Sequence, residues 1–154
     1  MINYVDTRSL LPIPQPFTEV VLRGIAPGGG LFVPDRIPEL GLAQIEALAS
    51  MPYWQRAAEI YWLFEMDLSA TKVASVARRA YGDNFDHPEI APVVALGGGR
   101  YALELWHGPT LAFKDMALQC MPLFFSTALE QKRTLGGSTS DFLVLVATSG
   151  DTGV

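Results

Sequence analysis

Apolar side chains through the middle of the chain recur every three or four residues, which is the spacing of amphipathic helices. This pattern predicts four helices, over residues 17–23, 42–49, 52–66 and 70–81. Ser69 and Ser50 stand where a hydroxyl would cap the fourth and the third helix, and Gly82 stands where the fourth would end. The aromatic rings at helical spacing are expected to form core; they are Tyr53, Tyr61, Trp62 and Phe64.

Short apolar runs bounded by glycine or proline predict strands. They cover residues 2–6, 31–33, 93–96, 100–105 and 142–147. The glycine run 97–99 would join two of them as a hairpin, and it lacks the Gly-x-Gly-x-x-Gly spacing of a phosphate loop. The last run is continuously apolar, which is typical of a fully buried strand in an α/β sheet. A further helix should begin at Asp115 and be kinked at Pro122.

Composition narrows the class of protein. The chain has 154 residues, a mean hydropathy of +0.23 and a formal net charge of −5, with no long basic run, so a nucleic-acid partner is not expected. The longest apolar run has the length of a strand, and the amino terminus lacks the pattern of a signal peptide. These features predict a cytoplasmic protein with no membrane partner. One cysteine and two histidines supply neither a disulfide nor a metal site.

Lys114 is the first candidate for chemistry, because it lies where the strand 100–105 passes through a Gly-Pro turn into the helix at Asp115. A lone lysine is most often a solvated surface residue. Here Phe113 beside it and Leu111 before it should partly desolvate the amine, which favours its neutral, nucleophilic form. Lys114 is therefore a candidate for covalent attachment to a cofactor.

Several residues around Lys114 allow more than one interpretation. Asp115 is either a first-turn helix charge or a catalytic group, and His107 either orients a substrate phosphate or bonds only to backbone. Trp106 and Phe113 either pack or stack on a cofactor ring. Cys120 lies on an apolar helix face and is expected to be an inert core thiol.

The segment 148–153, Thr-Ser-Gly-Asp-Thr-Gly, follows the predicted buried strand and should open a helix. Free backbone N–H groups at the start of a helix bind anions, and Ser149 and Thr152 would add hydroxyl donors. The alternative is that Ser149 or Asp151 only caps that helix.

Three segments, residues 17–34, 103–119 and 148–153, resemble in their order the threonine synthase family of fold-type-II pyridoxal-phosphate enzymes. The second segment, which holds His-Gly-Pro-Thr and Phe-Lys-Asp, is the most specific of the three. The resemblance implies an α/β fold of the tryptophan synthase β type. It places a mostly helical N-terminal threonine synthase domain at residues 1–92 and the beginning of the pyridoxal-phosphate domain at residues 93–154.

Members of this family convert O-phosphohomoserine and water to threonine and phosphate, so the resemblance implies this substrate and pyridoxal 5'-phosphate as cofactor. Lys114 would hold the cofactor covalently and Phe113 would contact it. By the same resemblance, the substrate would be held by Ser149, Gly150, Asp151 and Thr152. Family members continue through a glycine-rich loop for the cofactor phosphate. We therefore expect this chain to be the amino-terminal part of a longer polypeptide, with the remaining segment as its partner.

Two other functions share these motifs. A threonine-synthase-like phospholyase would differ only in pocket residues outside this sequence. The second alternative is a catalytically silent module, which is favoured by the absence of the phosphate loop from this sequence. Ser149 as a hydrolase nucleophile is disfavoured, because its surroundings lack the Gly-x-Ser-x-Gly elbow.

Overall fold

The computed structural model describes residues 1–8, 13–137, 142–145, 147–148 and 150. Its elements, in chain order, are β1 Tyr4–Asp6, α1 Phe17–Arg23, β2 Phe32–Pro34, α2 Leu42–Ala49, α3 Tyr53–Leu63, α4 Ala70–Tyr81, β3 Val93–Gly97, β4 Arg100–Leu103, α5 Asp115–Leu118 and α6 Met121–Thr134. The mixture of helices and small sheets agrees with the predicted α/β class. The division at residue 92 stays a prediction.

Both sheets of the described residues are antiparallel pairs. Strand β1 pairs with β2, and β3 pairs with β4 as the predicted hairpin, with a shift of register between Ala95 and Gly97. Gly97, Gly98 and Gly99 have φ angles of 84°, 59° and 73°, a left-handed conformation that glycine adopts without steric cost. The run 97–99 is therefore a tight turn.

Local capping chemistry was predicted correctly for α4 and wrongly for α3. The Ser69 hydroxyl accepts a hydrogen bond from the Lys72 backbone N–H at 3.3 Å, and Gly82 ends the helix. Ser50 instead donates its hydroxyl to the Ala47 carbonyl at the end of α2, while Pro52 precedes α3. Proline suits that position because the first residues of a helix need no N–H partner.

Two predicted helices differ in extent from those observed. Helix α3 ends at Leu63 rather than at residue 66, because Glu65 takes a φ of 45° that a right-handed helix cannot contain. The predicted helix from Asp115 is broken rather than kinked. It forms α5 and α6, with Pro122 in the first turn of α6, where its missing N–H costs nothing.

The core lies where α3, α4 and α6 meet. Phe124 of α6 is 5% exposed, and its ring makes edge contacts with Phe17 at 5.2 Å and Tyr61 at 5.3 Å between centroids. Cys120 is buried there, as expected. The predicted core residues Tyr53, Tyr61 and Phe64 pack against this cluster. The prediction that Trp62 forms core is wrong, because its side chain is 46% exposed.

The predicted buried strand at residues 142–147 is contradicted over residues 142–145. These four residues form no strand, and all of their side chains are exposed. A continuously apolar strand needs sheet neighbours and a covering layer on both faces. The described strands pair only within β1–β2 and β3–β4, so this segment has neither.

Candidate functional site

Lys114 directly precedes α5, at the predicted junction between hairpin and helix, and its side chain is partly buried. Its Nζ lies 5.2 Å from the centre of the Phe113 ring, so Phe113 does contact the amine, although Phe113 itself is exposed. Both residues border a cavity of about 630 Å³, whose other lining residues are Tyr53, Ala91, Leu103, Leu105, Met116, Ala117 and Leu118. Among the described residues of this lining, Lys114 is the one charged side chain.

The loop that leads into Lys114 has an uncommon backbone. Leu111 has a φ of 60° and an exposed side chain. A non-glycine residue in the left-handed region costs about 1–2 kcal/mol and persists only where surrounding contacts impose it. Strain of this kind is found preferentially at functional loops.

Asp115 supplies the contact that closes this loop. Its side chain is only 1% exposed, and its Oδ2 accepts a hydrogen bond from the Thr110 backbone N–H at 2.9 Å. Gly108 packs so closely that a Cβ at its position would overlap the Asp115 side chain. The other oxygen, Oδ1, is buried and has no hydrogen-bond partner among the described residues. Asp115 therefore acts on its own loop, rather than as a solvated helix charge.

His107 lies between two carboxylates. Its Nδ1 is 2.7 Å from Asp86 Oδ1, and its Nε2 is 2.8 Å from Glu104 Oε2. The hydrogen bond to Glu104, and to a smaller extent the one to Asp86, raises the pKa of His107 above its usual value. Of the two alternatives for this ring, bonding only to backbone is contradicted, because both of its partners are side-chain carboxylates. Since both ring nitrogens are engaged, this conformation offers neither to a substrate phosphate.

A buried row of hydroxyl and thiol groups lies beneath α5, and the sequence analysis missed it. The Tyr81 hydroxyl donates to the Met116 carbonyl oxygen at 2.6 Å, and the Tyr61 hydroxyl oxygen lies 2.9 Å from that of Tyr81. The Cys120 thiol donates to the Ala117 carbonyl at 3.3 Å. Burial raises the pKa of Tyr61 and of Tyr81, so both stay protonated donors. The sequence could have indicated this row, because a tyrosine on the apolar face of a predicted helix is expected to be buried and a buried phenol usually finds a hydrogen-bond partner.

The predicted substrate loop is only partly within the described residues. Gly150 has a φ of 121°, and its backbone N–H donates to the Thr148 hydroxyl at 3.2 Å. Ser149, Asp151 and Thr152 lie outside the described residues, so their predicted roles stay predictions.

The described residues contain neither a candidate metal site nor a helix that could span a membrane. No three His, Cys, Asp or Glu side chains are grouped there so that they could hold a metal ion. No helix in the same residues is long and apolar enough to cross a membrane.

Comparison with known proteins gives one result from three directions. The family model for the threonine synthase N terminus matches residues 3–81. Human threonine synthase-like 1 is 39% identical over 140 residues, which cover 89% of this chain and 18% of that protein. Threonine synthase of Schizosaccharomyces pombe is 41% identical over 143 residues, which cover 89% of this chain and 27% of that protein.

A solved structure agrees with the sequence matches. The crystal structure of threonine synthase from Brucella melitensis with bound pyridoxal phosphate is similar with a TM-score of 0.79 at 33% identity, over 86% of this chain and 28% of that chain. The chain therefore spans less than a third of the length of each of these proteins.

Proposed function

The chain belongs to the threonine synthase N-terminus family, and we propose that it acts within a longer threonine synthase polypeptide, where Lys114 binds pyridoxal phosphate covalently. The observation that carries this proposal is the position of Lys114. In the part of the chain that the structure describes, it is the one charged side chain bordering a mainly apolar cavity of about 630 Å³. The reaction proposed for the longer polypeptide is the conversion of O-phosphohomoserine and water to threonine and phosphate.

The cavity lining suits the ring of the cofactor but not its phosphate. A pyridine ring is flat and apolar on both faces, as are the Phe113 and Tyr53 side chains that border the cavity. A dianionic phosphate needs several donors, and the lining offers the Lys114 amine alone among its charged groups. We therefore assign the phosphate to groups outside the described residues, and we expect the 154-residue chain by itself to bind the cofactor weakly.

Pyridoxal phosphate would supply an electron sink for carbanion chemistry. Lys114 Nζ would hold the cofactor, yield its place to the substrate amine, and then carry protons between substrate carbons as a general base and acid. The Asp115–Thr110 hydrogen bond would keep the loop before Lys114 closed during these steps. Ser149, Gly150, Asp151 and Thr152 are proposed to hold the substrate carboxylate.

A threonine-synthase-like phospholyase is the second candidate. It is favoured by the 39% identity to human threonine synthase-like 1, a protein whose name separates it from threonine synthase. Product analysis of the longer polypeptide with O-phosphohomoserine distinguishes the two, because only threonine synthase releases threonine with the phosphate.

Covalent labelling tests the assignment of Lys114. The 154-residue chain has three lysines, Lys72, Lys114 and Lys132. Borohydride reduction of the cofactor-loaded longer polypeptide, followed by peptide mapping, distinguishes a label on Lys114 from a label on any other lysine. We expect the label on the peptide containing Lys114. Lys114→Ala should abolish both label and threonine formation, whereas the matched change Lys72→Ala should preserve both. Label on another lysine, together with an active Lys114→Ala variant, would remove the proposal.

The silent-module alternative is tested with the 154-residue chain alone. Pyridoxal phosphate is titrated into it while the visible absorbance of the cofactor is followed. Saturation at micromolar cofactor would show that this chain encloses the phosphate by itself, contrary to the assignment above.

A further inference from the structure

Helix α5 is too short to define its own position. It has four residues, Asp115–Leu118, and begins directly after Lys114. Short helices are marginal without tertiary contacts, because nucleation costs more than a few backbone hydrogen bonds return. Whatever holds the carbonyl groups of α5 therefore also sets where the Lys114 backbone lies.

Among the described residues, the shortest hydrogen bond to an α5 carbonyl comes from α4, 35 residues earlier in the chain. The Tyr81 side chain is 3% exposed, and its hydroxyl donates to the Met116 carbonyl at 2.6 Å, the short end of the range for such bonds. Met116 lies two residues after Lys114. Its side chain borders the same cavity as the Lys114 side chain.

The Tyr81 hydroxyl is itself held in place. It carries one proton, which goes to Met116, so its oxygen can only accept from the Tyr61 hydroxyl 2.9 Å away. The Tyr61 hydroxyl also faces a second acceptor, the Cys120 sulfur, at 3.4 Å. The Tyr81 ring also makes an edge contact with Tyr53, at 5.2 Å between centroids, and Tyr53 borders the cavity. Helix α3 thus contributes Tyr53 to the cavity lining, and α4 contacts both Tyr53 and the first turn after Lys114 through Tyr81.

From this geometry we propose that Tyr81 is a positioning residue for Lys114, acting through the Met116 carbonyl. This inference rests on the proposed role of Lys114 as the cofactor-binding residue. Tyr81→Phe keeps the ring and its contacts but leaves the Met116 carbonyl without its donor. The first turn of α5 then loses its fixed position, and the Lys114 amine shifts with respect to the cofactor.

The effect expected is on chemistry rather than on substrate affinity. Misplacement of a reacting group by about 1 Å can cost on the order of a hundredfold in rate. We therefore expect Tyr81→Phe in the longer polypeptide to lower kcat by about tenfold to a hundredfold, with little change in KM. Tyr101→Phe is the matched control, because Tyr101 lies exposed on β4 and should leave kcat unchanged.

A spectroscopic readout separates positioning from a purely structural role. The visible absorbance of the cofactor bound to Lys114 is followed against pH, and we expect its midpoint to move in Tyr81→Phe but not in Tyr101→Phe. A Tyr81→Phe protein with unchanged midpoint and unchanged kcat overturns the inference, even if its Tm falls. Tyr61→Phe removes the proton that Tyr81 accepts and should shift the same midpoint by a smaller amount. If Tyr81→Phe fails to fold, an unchanged midpoint in Tyr61→Phe overturns the inference instead.

The two proposals fail in different ways. Cofactor label on a lysine other than Lys114 removes the proposed function, and with it the premise of the inference. Label on Lys114 with wild-type behaviour of Tyr81→Phe leaves the proposed function intact and removes the positioning role alone.

Discussion

Replacing Gly108 with alanine should destabilise the chain more than the same replacement at a glycine that has no atoms near the position of the added Cβ. Gly108 has no unusual φ, so its requirement for glycine is steric: the added Cβ would overlap the Cβ and Oδ2 of Asp115. Asp115 is 1% exposed and cannot swing into solvent without leaving its pocket. Accommodating the methyl group therefore means pushing Asp115 away from Thr110, whose N–H it accepts at 2.9 Å.

Two costs combine. Forcing a methyl group into a closely packed site costs about 1–3 kcal/mol, and a hydrogen bond to a charged group contributes about 1.5–3 kcal/mol. Together they give a loss of about 2.5–6 kcal/mol, a large part of the 5–15 kcal/mol typical of a folded domain. With a urea slope of about 2 kcal/mol per molar, the unfolding midpoint should fall by about 2 M.

Urea unfolding of the 154-residue chain measures this loss, with Gly98→Ala as control. Gly98 has a φ of 59° and nothing near its missing Cβ, so its substitution reports only the backbone cost of about 1–2 kcal/mol. In an Asp115→Ala background the Cβ overlap persists but the hydrogen bond is already lost, so Gly108→Ala should cost less there than in the wild type. A loss at Gly108 no greater than that at Gly98, or equal losses in the two backgrounds, would refute the close-contact argument.

Two further changes test the electrostatics and the core. The pKa of His107 is raised in the folded chain, so its stabilising contribution is complete below about pH 6.5 and is lost as pH rises through the raised value. In the wild type, the urea midpoint of unfolding should therefore fall between pH 6 and 9, and in His107→Gln it should fall less. If the two pH curves are identical, the contacts of His107 with Glu104 and Asp86 do not cause the pH dependence of stability. Phe124→Ala removes a ring that is 5% exposed and makes edge contacts with two others, and should cost about 3–5 kcal/mol by urea unfolding. A loss below 1 kcal/mol would show that the α6 core is not packed as described.

The ends of a helix could be predicted from the sequence where the capping residue lies within a few residues of the backbone group that it binds. Helix α4 shows this, because a Ser69 hydroxyl three residues before the Lys72 N–H and a glycine at position 82 fix both ends. The failure at Ser50 is of the same local kind. Serine caps helices and also bonds to carbonyls four residues or fewer behind it. Here Pro52 takes the cap position before Tyr53, and the Ser50 hydroxyl bonds backwards to the Ala47 carbonyl.

Contacts between residues far apart in the chain could not be predicted from the sequence. The continuously apolar run 142–147 predicts a buried strand whatever the neighbours are, and residues 142–145 are exposed because the described strands leave them no sheet to join. His107 illustrates the same limit. Its carboxylate partner Asp86 is 21 residues away, and no spacing rule connects a loop aspartate to a histidine after a hairpin.

Tyr81 lies at the end of the segment that matches the family model, and it makes both a local contact and a contact far along the chain. The family match covers residues 3–81, so Tyr81 is its last residue and Lys114 lies outside it. The Tyr81 hydroxyl nevertheless bonds to the Met116 carbonyl, two residues after Lys114, while its ring packs on Tyr53 within the match. If α1 to α4 were an independent appendage, a buried donor at their last residue would have no reason to bond to α5. If this bond were lost while the phenol stayed buried, the loss would cost about 1–3 kcal/mol, so the bond stabilises the packing of α4 against α5. The Tyr81–Met116 hydrogen bond is therefore one of the contacts that join the matched helices to the turn after Lys114.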